Sequence, residues 1–192
     1  MTDARTHILD TGRRLVAQRG YTAVGLGQLL AEAEVPKGSF YHYFTSKEGY
    51  GCALLDRYVR DYEADLAATL DNGQLSGRDR VLDYFADWQG RQAGDDAQQK
   101  CLIVKLAAEV ADLSPDMRAI LQQGVQGIIA KLSDALVQAG RDGSMVAVDD
   151  PDALATTLYQ LWLGASLMAH LSQDSAPFHH AMTQSRTLLR QS

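Results

Sequence analysis

Cysteine is scarce in this 192-residue chain: there are two, Cys52 and Cys101, 49 positions apart and in no C-x-x-C spacing. That count excludes a disulfide-built scaffold and the usual zinc sites, and it suits a reducing compartment. No run of about 18 apolar residues occurs, so no membrane-spanning helix is expected. The opening MTDARTHILD has neither the basic start nor the apolar stretch of a secretory leader, and the expected location is the cytoplasm. Also missing are a phosphate-binding glycine loop, a metal-ligand cluster and a legible Cys/His/Asp constellation. An enzyme therefore lacks support, and neither a metal nor a cofactor is expected. No internal repeat or low-complexity segment is present, and VAVDD at 146–150 is too short to count as a strand. The 46% hydrophobic content suffices for a core.

A net charge of −6 argues against a nucleic-acid binder until it is divided along the chain. Residues 1–47 carry six Lys/Arg against four Asp/Glu, and the remaining 145 residues carry twelve against twenty. The first segment is therefore +2 and the rest −8. Because salt screens charges beyond about 10 Å, the local balance is what a phosphate backbone meets.

The hydrophobic spacing is helical throughout, giving an all-α fold of about nine helices. Ile8, Leu15, Leu9 and Val16 make one stripe, closed by Gly20 after Arg19. A short helix runs through Leu26, Leu29, Leu30 and Ala33. Glu34 and Val35 turn the chain, Pro36 suits the first turn of a third helix, and Phe40 and Phe44 point inward. Three short helices in about 45 residues, the last two joined by a tight turn, form a helix-turn-helix unit. Thr45 and Glu48 have capping-box spacing, with Ser46 as the other N-cap candidate, before a long helix ended by Asn72-Gly73 and Ser76-Gly77. The helix through Val81, Tyr84, Phe85 and Trp88 is expected to end in the polar Gly90–Asp96 stretch. Ser114-Pro115 and Asp150-Pro151 each place a capping side chain before a proline, and a last helix follows Pro177. The expected domains are a helix-turn-helix unit at 1–47 and a regulatory and dimerisation domain at 48–192.

The segment VPKGSFYHYFTSKEG carries the chemistry. With the phenylalanines inward, Lys37 and Tyr41 share one outward side, as do Gly38 and His42. Lys37 and Lys47 offer charge to phosphates, and Ser39, Tyr41, His42 and Tyr43 are donors for phosphate oxygens or base edges. Gly38 costs about 1 kcal/mol of helix stability against Ala. Close approach to a nucleic-acid backbone would explain it, and so would crowding against the first helix. On spacing alone, a structural helix with a solvated polar face fits equally well.

The same segment resembles the signature of TetR-type regulators, and the likeness covers residues 8–50 in order and spacing. The resemblance implies a palindromic operator bound by a homodimer, with Lys37, Ser39, Tyr41 and His42 toward the major groove and Tyr43 and Lys47 on phosphates. Gly25 stands where such proteins usually have Ser or Thr opening the second helix, which weakens a phosphate contact. Glu34 stands where the turn usually has Gly. The helix at 151–172 is apolar on nearly every face. With the helix at 177–190, bearing Phe178, Met182 and Leu189, it is the expected dimer interface; a central helix of a monomer is the alternative. Regulators of this type commonly bind a small molecule among the helices of the larger domain, where Tyr84, Trp88, Tyr159 and Trp162 are aromatic candidates.

Cys101 follows Lys100, precedes Lys105 by four residues, and lies near an expected helix start after the GDDAQQ loop. Cations and a helix N-terminus both favour thiolate. A small buried hydrophobe is the other reading. The stretch KCLIVKLAAEVADLSPDMR resembles the electrophile-sensing branch around the repressor of N-ethylmaleimide reductase. That resemblance makes Cys101 the sensor candidate for an electrophile or oxidant, with His170 as a thiolate partner if the fold brings it near. A non-covalent hydrophobic inducer, with Cys101 merely structural, stays open, as do a cysteine-dependent enzyme and a helical module that binds no DNA.

Overall fold

The computed structural model describes residues 3–94 and 100–190, and within them the chain forms nine helices and no strand. In order these are α1 (Ala4–Arg19), α2 (Leu26–Glu32), α3 (Lys37–Tyr43), α4 (Lys47–Leu70), α5 (Gly77–Ala93), α6 (Leu102–Leu113), α7 (Pro115–Arg141), α8 (Pro151–Ser172) and α9 (Ala176–Leu188). None of them is long and apolar enough to cross a membrane.

Local chemistry sets the boundaries. Gly20 closes α1 with φ +86°, a left-handed value that glycine adopts freely. Helix α2 ends in a Schellman motif: Val35 N–H donates to the Leu30 carbonyl across 3.1 Å and Glu34 N–H to Ala31 across 3.3 Å. Glu34 occupies the left-handed position of that motif, with φ +52°. Pro36 sits one residue earlier than the sequence suggests, as the residue before α3, and its carbonyl accepts from Ser39 N–H. Ser46, not Thr45, caps α4, its Oγ accepting from Gly49 N–H at 2.9 Å. Both Pro-linked caps form: Ser114 Oγ accepts from Met117 N–H at 3.2 Å, and Asp150 Oδ1 from Ala153 N–H at 2.9 Å. Helix α5 ends at Ala93, inside the polar Gly90–Asp96 stretch expected to close it, though it continues past Gly90 itself. A single glycine costs a helix about 1 kcal/mol, too little to end one whose Tyr84, Phe85 and Trp88 are buried. Residues 95–99 of the expected GDDAQQ loop lie outside the described residues.

The chain divides into two compact units, Met1–Asp61 with Gly94–Gln123 and Tyr62–Ala93 with Gly124–Ser192. The first holds α1–α3, the start of α4, α6 and the start of α7. Its core gathers Ile8, Leu9, Leu15, Val16, Leu29, Phe40, Phe44, Tyr50, Leu55 and Tyr58. Tyr50 packs at ring-centroid distances of 5.7 Å from Phe40 and 5.3 Å from Phe44. Its hydroxyl is aimed at Gly12, where an added Cβ would lie 1.4 Å from the oxygen. In the second unit, Trp162 stacks between Phe85 at 4.9 Å and Phe178 at 6.1 Å, joining α5, α8 and α9.

Candidate functional site

Helix α3 is amphipathic in the sense its sequence requires. Phe40 and Phe44 are 0% and 4% exposed, whereas Tyr41 is 48% exposed beside exposed Lys37, Gly38 and His42. Ser39 and Tyr43 are half-buried. The Lys37 ammonium lies 5.9 Å from the Tyr41 ring centroid, one turn away, so cation and phenol form one outward patch. The His42 and Tyr43 rings meet edge to face at 4.8 Å.

Gly38 separates the two explanations offered for it. A Cβ built there meets nothing within 4 Å, so crowding against α1 does not require the glycine. Gly25, exposed at the start of α2, is equally open, and no side chain caps that helix. Lys47 is half-buried and anchored: its Nζ donates to the Tyr21 carbonyl at 3.4 Å and lies 4.9 Å from the Tyr21 ring centroid. Tyr21 Oη in turn donates to the Lys47 carbonyl at 2.7 Å. Burial, then the charges of the Cys52, Glu48 and Glu109 side chains, push the Tyr21 phenol up to about 12, so it remains a donor at neutral pH.

Cys101 is the residue before α6, with its thiol 7% exposed. Tyr58 of α4 faces it, the phenol donating to Sγ at 3.4 Å while accepting from Leu102 N–H at 3.1 Å. The Arg13 guanidinium lies 5.5 Å from the Tyr58 ring centroid. The Lys105 ammonium donates to the Gln18 carbonyl at the end of α1, at 3.3 Å. His170 is exposed near the end of α8 and belongs to the second unit. Cys52 is half-buried on α4, and burial, followed by Asp116 and Glu48, raises its pKa, which keeps it a thiol.

The aromatic candidates are core. Trp88 Nε1 donates to Ser166 Oγ at 2.9 Å and Trp162 Nε1 to Ser185 Oγ at 3.0 Å, and Tyr159 meets Trp88 edge to face at 5.7 Å. Both faces of Trp162 are covered by its stacking partners. Tyr84 and Trp88 do border a crevice with Tyr62, Asp65 and Arg91, but its volume of about 20 Å³ is the space of one water.

One residue that contacts the α1–α2 turn has no sequence signal. Glu109, on α6, accepts hydrogen bonds from Tyr21 N–H at 3.1 Å, from Thr22 N–H at 2.5 Å and from the Thr22 hydroxyl. Partial burial works to raise its pKa, but the bonds from Thr22 and Tyr21, with the Lys47 charge, outweigh it and hold the carboxyl below its ordinary range. The partners are 87 and 88 positions apart, beyond any local pattern.

Known proteins share this arrangement. Residues 8–49 match the family of bacterial regulatory proteins, tetR family, and residues 77–185 the tetracyclin repressor-like C-terminal domain. The chain is 42% identical over 187 residues to the HTH-type transcriptional repressor NemR of Escherichia coli K12, spanning 97% of this chain and 94% of that one. It is 31% identical to the transcriptional regulator AcuR of Cereibacter sphaeroides, over 92% of this chain and 80% of the relative. The crystal structure of the reduced form of E. coli NemR superposes with a TM-score of 0.94, covering 100% of this chain and 99% of that one.

Proposed function

The chain belongs to the TetR family of bacterial transcriptional regulators, and from that premise we propose that it is a repressor gripping a palindromic operator as a homodimer and released by chemical modification of Cys101. The observation that carries the DNA-binding part is on α3: a lysine, a phenol and an imidazole exposed on one side, with the phenylalanines buried on the other. Gly38 strengthens it, because a glycine with empty space around it and no packing reason fits close approach to a duplex backbone. Lys37, Ser39, Tyr41 and His42 are assigned to the major groove, where Lys37 also offers its charge to phosphates, and Tyr43, Lys47 and the Gly25 backbone to phosphates.

One helix-turn-helix unit makes few base contacts, so specificity calls for two units on two half-sites. Helix α8 supports such pairing. One face is buried through Ala155, Leu158, Tyr159 and Trp162, yet Leu167, Met168 and Leu171 are 54%, 54% and 68% exposed. They lie at i, i+1 and i+4, forming an apolar patch that a second copy would cover with the help of α9.

For release, Cys101 stands before a helix with the Tyr58 phenol donating to its sulfur, and the reacting form is the thiolate. The thiolate adds to the electron-poor carbon of an activated alkene. The S–C bond forms, and the neighbouring carbon takes up the proton that the thiol lost. The adduct needs room that a 7% exposed site does not have, so α6 and α4 must part. The conformer then favoured carries reading heads that no longer match the half-sites. The similarity to a relative known in a reduced form supports a redox-responsive or electrophile-responsive thiol. The same low exposure favours a second reading, in which a non-covalent apolar inducer acts and Cys101 only packs.

Selection of bound duplexes from random DNA, with and without N-ethylmaleimide, tests the proposal. Wild type is expected to select a palindrome and lose it on treatment, while Cys101→Ser keeps it. Release of Cys101→Ser as readily as wild type would leave the second reading standing, and selection of no sequence would remove the DNA-binding reading.

A further inference from the structure

Helix α6 reaches the reading head by two side chains one turn apart, Lys105 and Glu109. Lys105 Nζ meets the Gln18 carbonyl in the last turn of α1, where the helix end leaves carbonyls without intrahelical partners. Glu109 holds the next segment through the Tyr21 amide and through the amide and hydroxyl of Thr22. Cation on carbonyl and carboxylate on amides are each the favourable sign. Gly20, between them, is close enough that a Cβ would stand 3.0 Å from Glu109 Oε2. Lys47, at the start of α4, binds the same turn through the Tyr21 carbonyl.

This turn is the link through which α1 hands the chain to α2 and α3. Without Glu109, two backbone amides and a hydroxyl there would turn to solvent, and the turn would lose its direct tie to α6, keeping the bonds between Tyr21 and Lys47. We propose that the Glu109 carboxylate is a positioning residue for DNA binding, a clamp that fixes the α1–α2 turn, and so the presentation of α3, to helix α6. The inference rests on the DNA-binding reading above. It adds a direct connection, because Cys101 immediately precedes the helix whose Lys105 and Glu109, about 6 and about 12 Å further along, hold the head. A displacement of α6 at Cys101 reaches α3 through Glu109 without passing along α4.

Charge alone gives the opposite sign, which makes the test sharp. Glu109→Gln removes an anion from the unit that meets phosphates, so if Glu109 supplied only charge, affinity would rise. The clamp requires affinity to fall, by about tenfold, for a duplex selected by wild type, with the active fraction titrated so that a loss of folded protein does not count. Thr22→Val is expected to weaken binding in wild type and to have little further effect in Glu109→Gln, since both remove the same link. Residue-resolved amide exchange by NMR supplies a readout that needs no DNA: Tyr21 and Thr22 exchange slowly in wild type and fast in Glu109→Gln, with the α1 amides unchanged. Unchanged or tighter binding by Glu109→Gln overturns the clamp, and so do fully additive effects of the two substitutions. If wild type selects no duplex, the DNA reading is what fails; the clamp then stands or falls on whether the Tyr21 and Thr22 amides lose protection.

Discussion

An alanine at position 38 would touch nothing among the described residues, and its helix propensity is better by about 1 kcal/mol. Gly38→Ala is therefore expected to raise the melting temperature slightly while weakening operator binding about tenfold, a split that thermal denaturation and DNA titration together would reveal. A gain in stability with unchanged binding would remove the reason for the glycine. Gly12 is the opposite case, because the Tyr50 hydroxyl fills the space a methyl would take, and that buried oxygen has no hydrogen-bond partner among the described residues. Gly12→Ala is expected to cost about 1–3 kcal/mol in urea unfolding, with part recovered by adding Tyr50→Phe, which removes the colliding atom. The inward turn of Phe40 and Phe44 was legible from their spacing alone. The Gly12–Tyr50 pair was not, since nothing in either neighbourhood announces a partner on another helix.

Helix ends follow chemistry readable in the sequence where the cap is a side chain followed by proline, as at Ser114 and Asp150. A polar stretch marks an end less sharply: α5 closes inside Gly90–Asp96 as read, but passes Gly90 because its buried aromatic face outweighs one glycine. The turn between α2 and α3 lies between these cases. Its position was legible, but its use of a left-handed glutamate follows from the Schellman geometry, which the sequence, lacking glycine there, does not announce. Relief of that backbone strain makes Glu34→Gly stabilising by up to about 1 kcal/mol, after allowance for the freedom glycine gains in the unfolded chain. Equilibrium denaturation checks this, and a destabilised variant would mean that the glutamate side chain supplies an offsetting contact. Cys101 shows the limit at the same scale. Its place before a helix could be expected from the sequence, but the phenol of Tyr58, 43 positions away, could not.

At the scale of the whole molecule, the order of helices and the amphipathic logic of α3 were legible in the sequence, whereas the pairing of distant segments was not. Helix α6 returns to the α1–α2 turn through contacts such as Glu109 with Thr22 that lie far apart in the chain, where no local pattern reports them. In the proposed dimer, the exposed apolar patch of α8 is the interface. Leu171→Glu, at the most exposed of those positions, is expected to leave the helical circular dichroism intact while shifting the protein from dimer to monomer in sedimentation velocity. Operator binding should fall with it, because one head alone reads half a site. A Leu171→Glu protein that remains dimeric would place the interface elsewhere.

The most direct measurement of the central claim, that α3 turns its polar side to DNA, is the salt dependence of binding to a selected duplex for wild type and Lys37→Ala. Phosphate contacts release counterions, so log K should fall steeply and linearly with log salt for wild type, and Lys37→Ala should bind more weakly with a slope shallower by about 1. A flat salt dependence, or a Lys37→Ala protein indistinguishable from wild type in both affinity and slope, would contradict it.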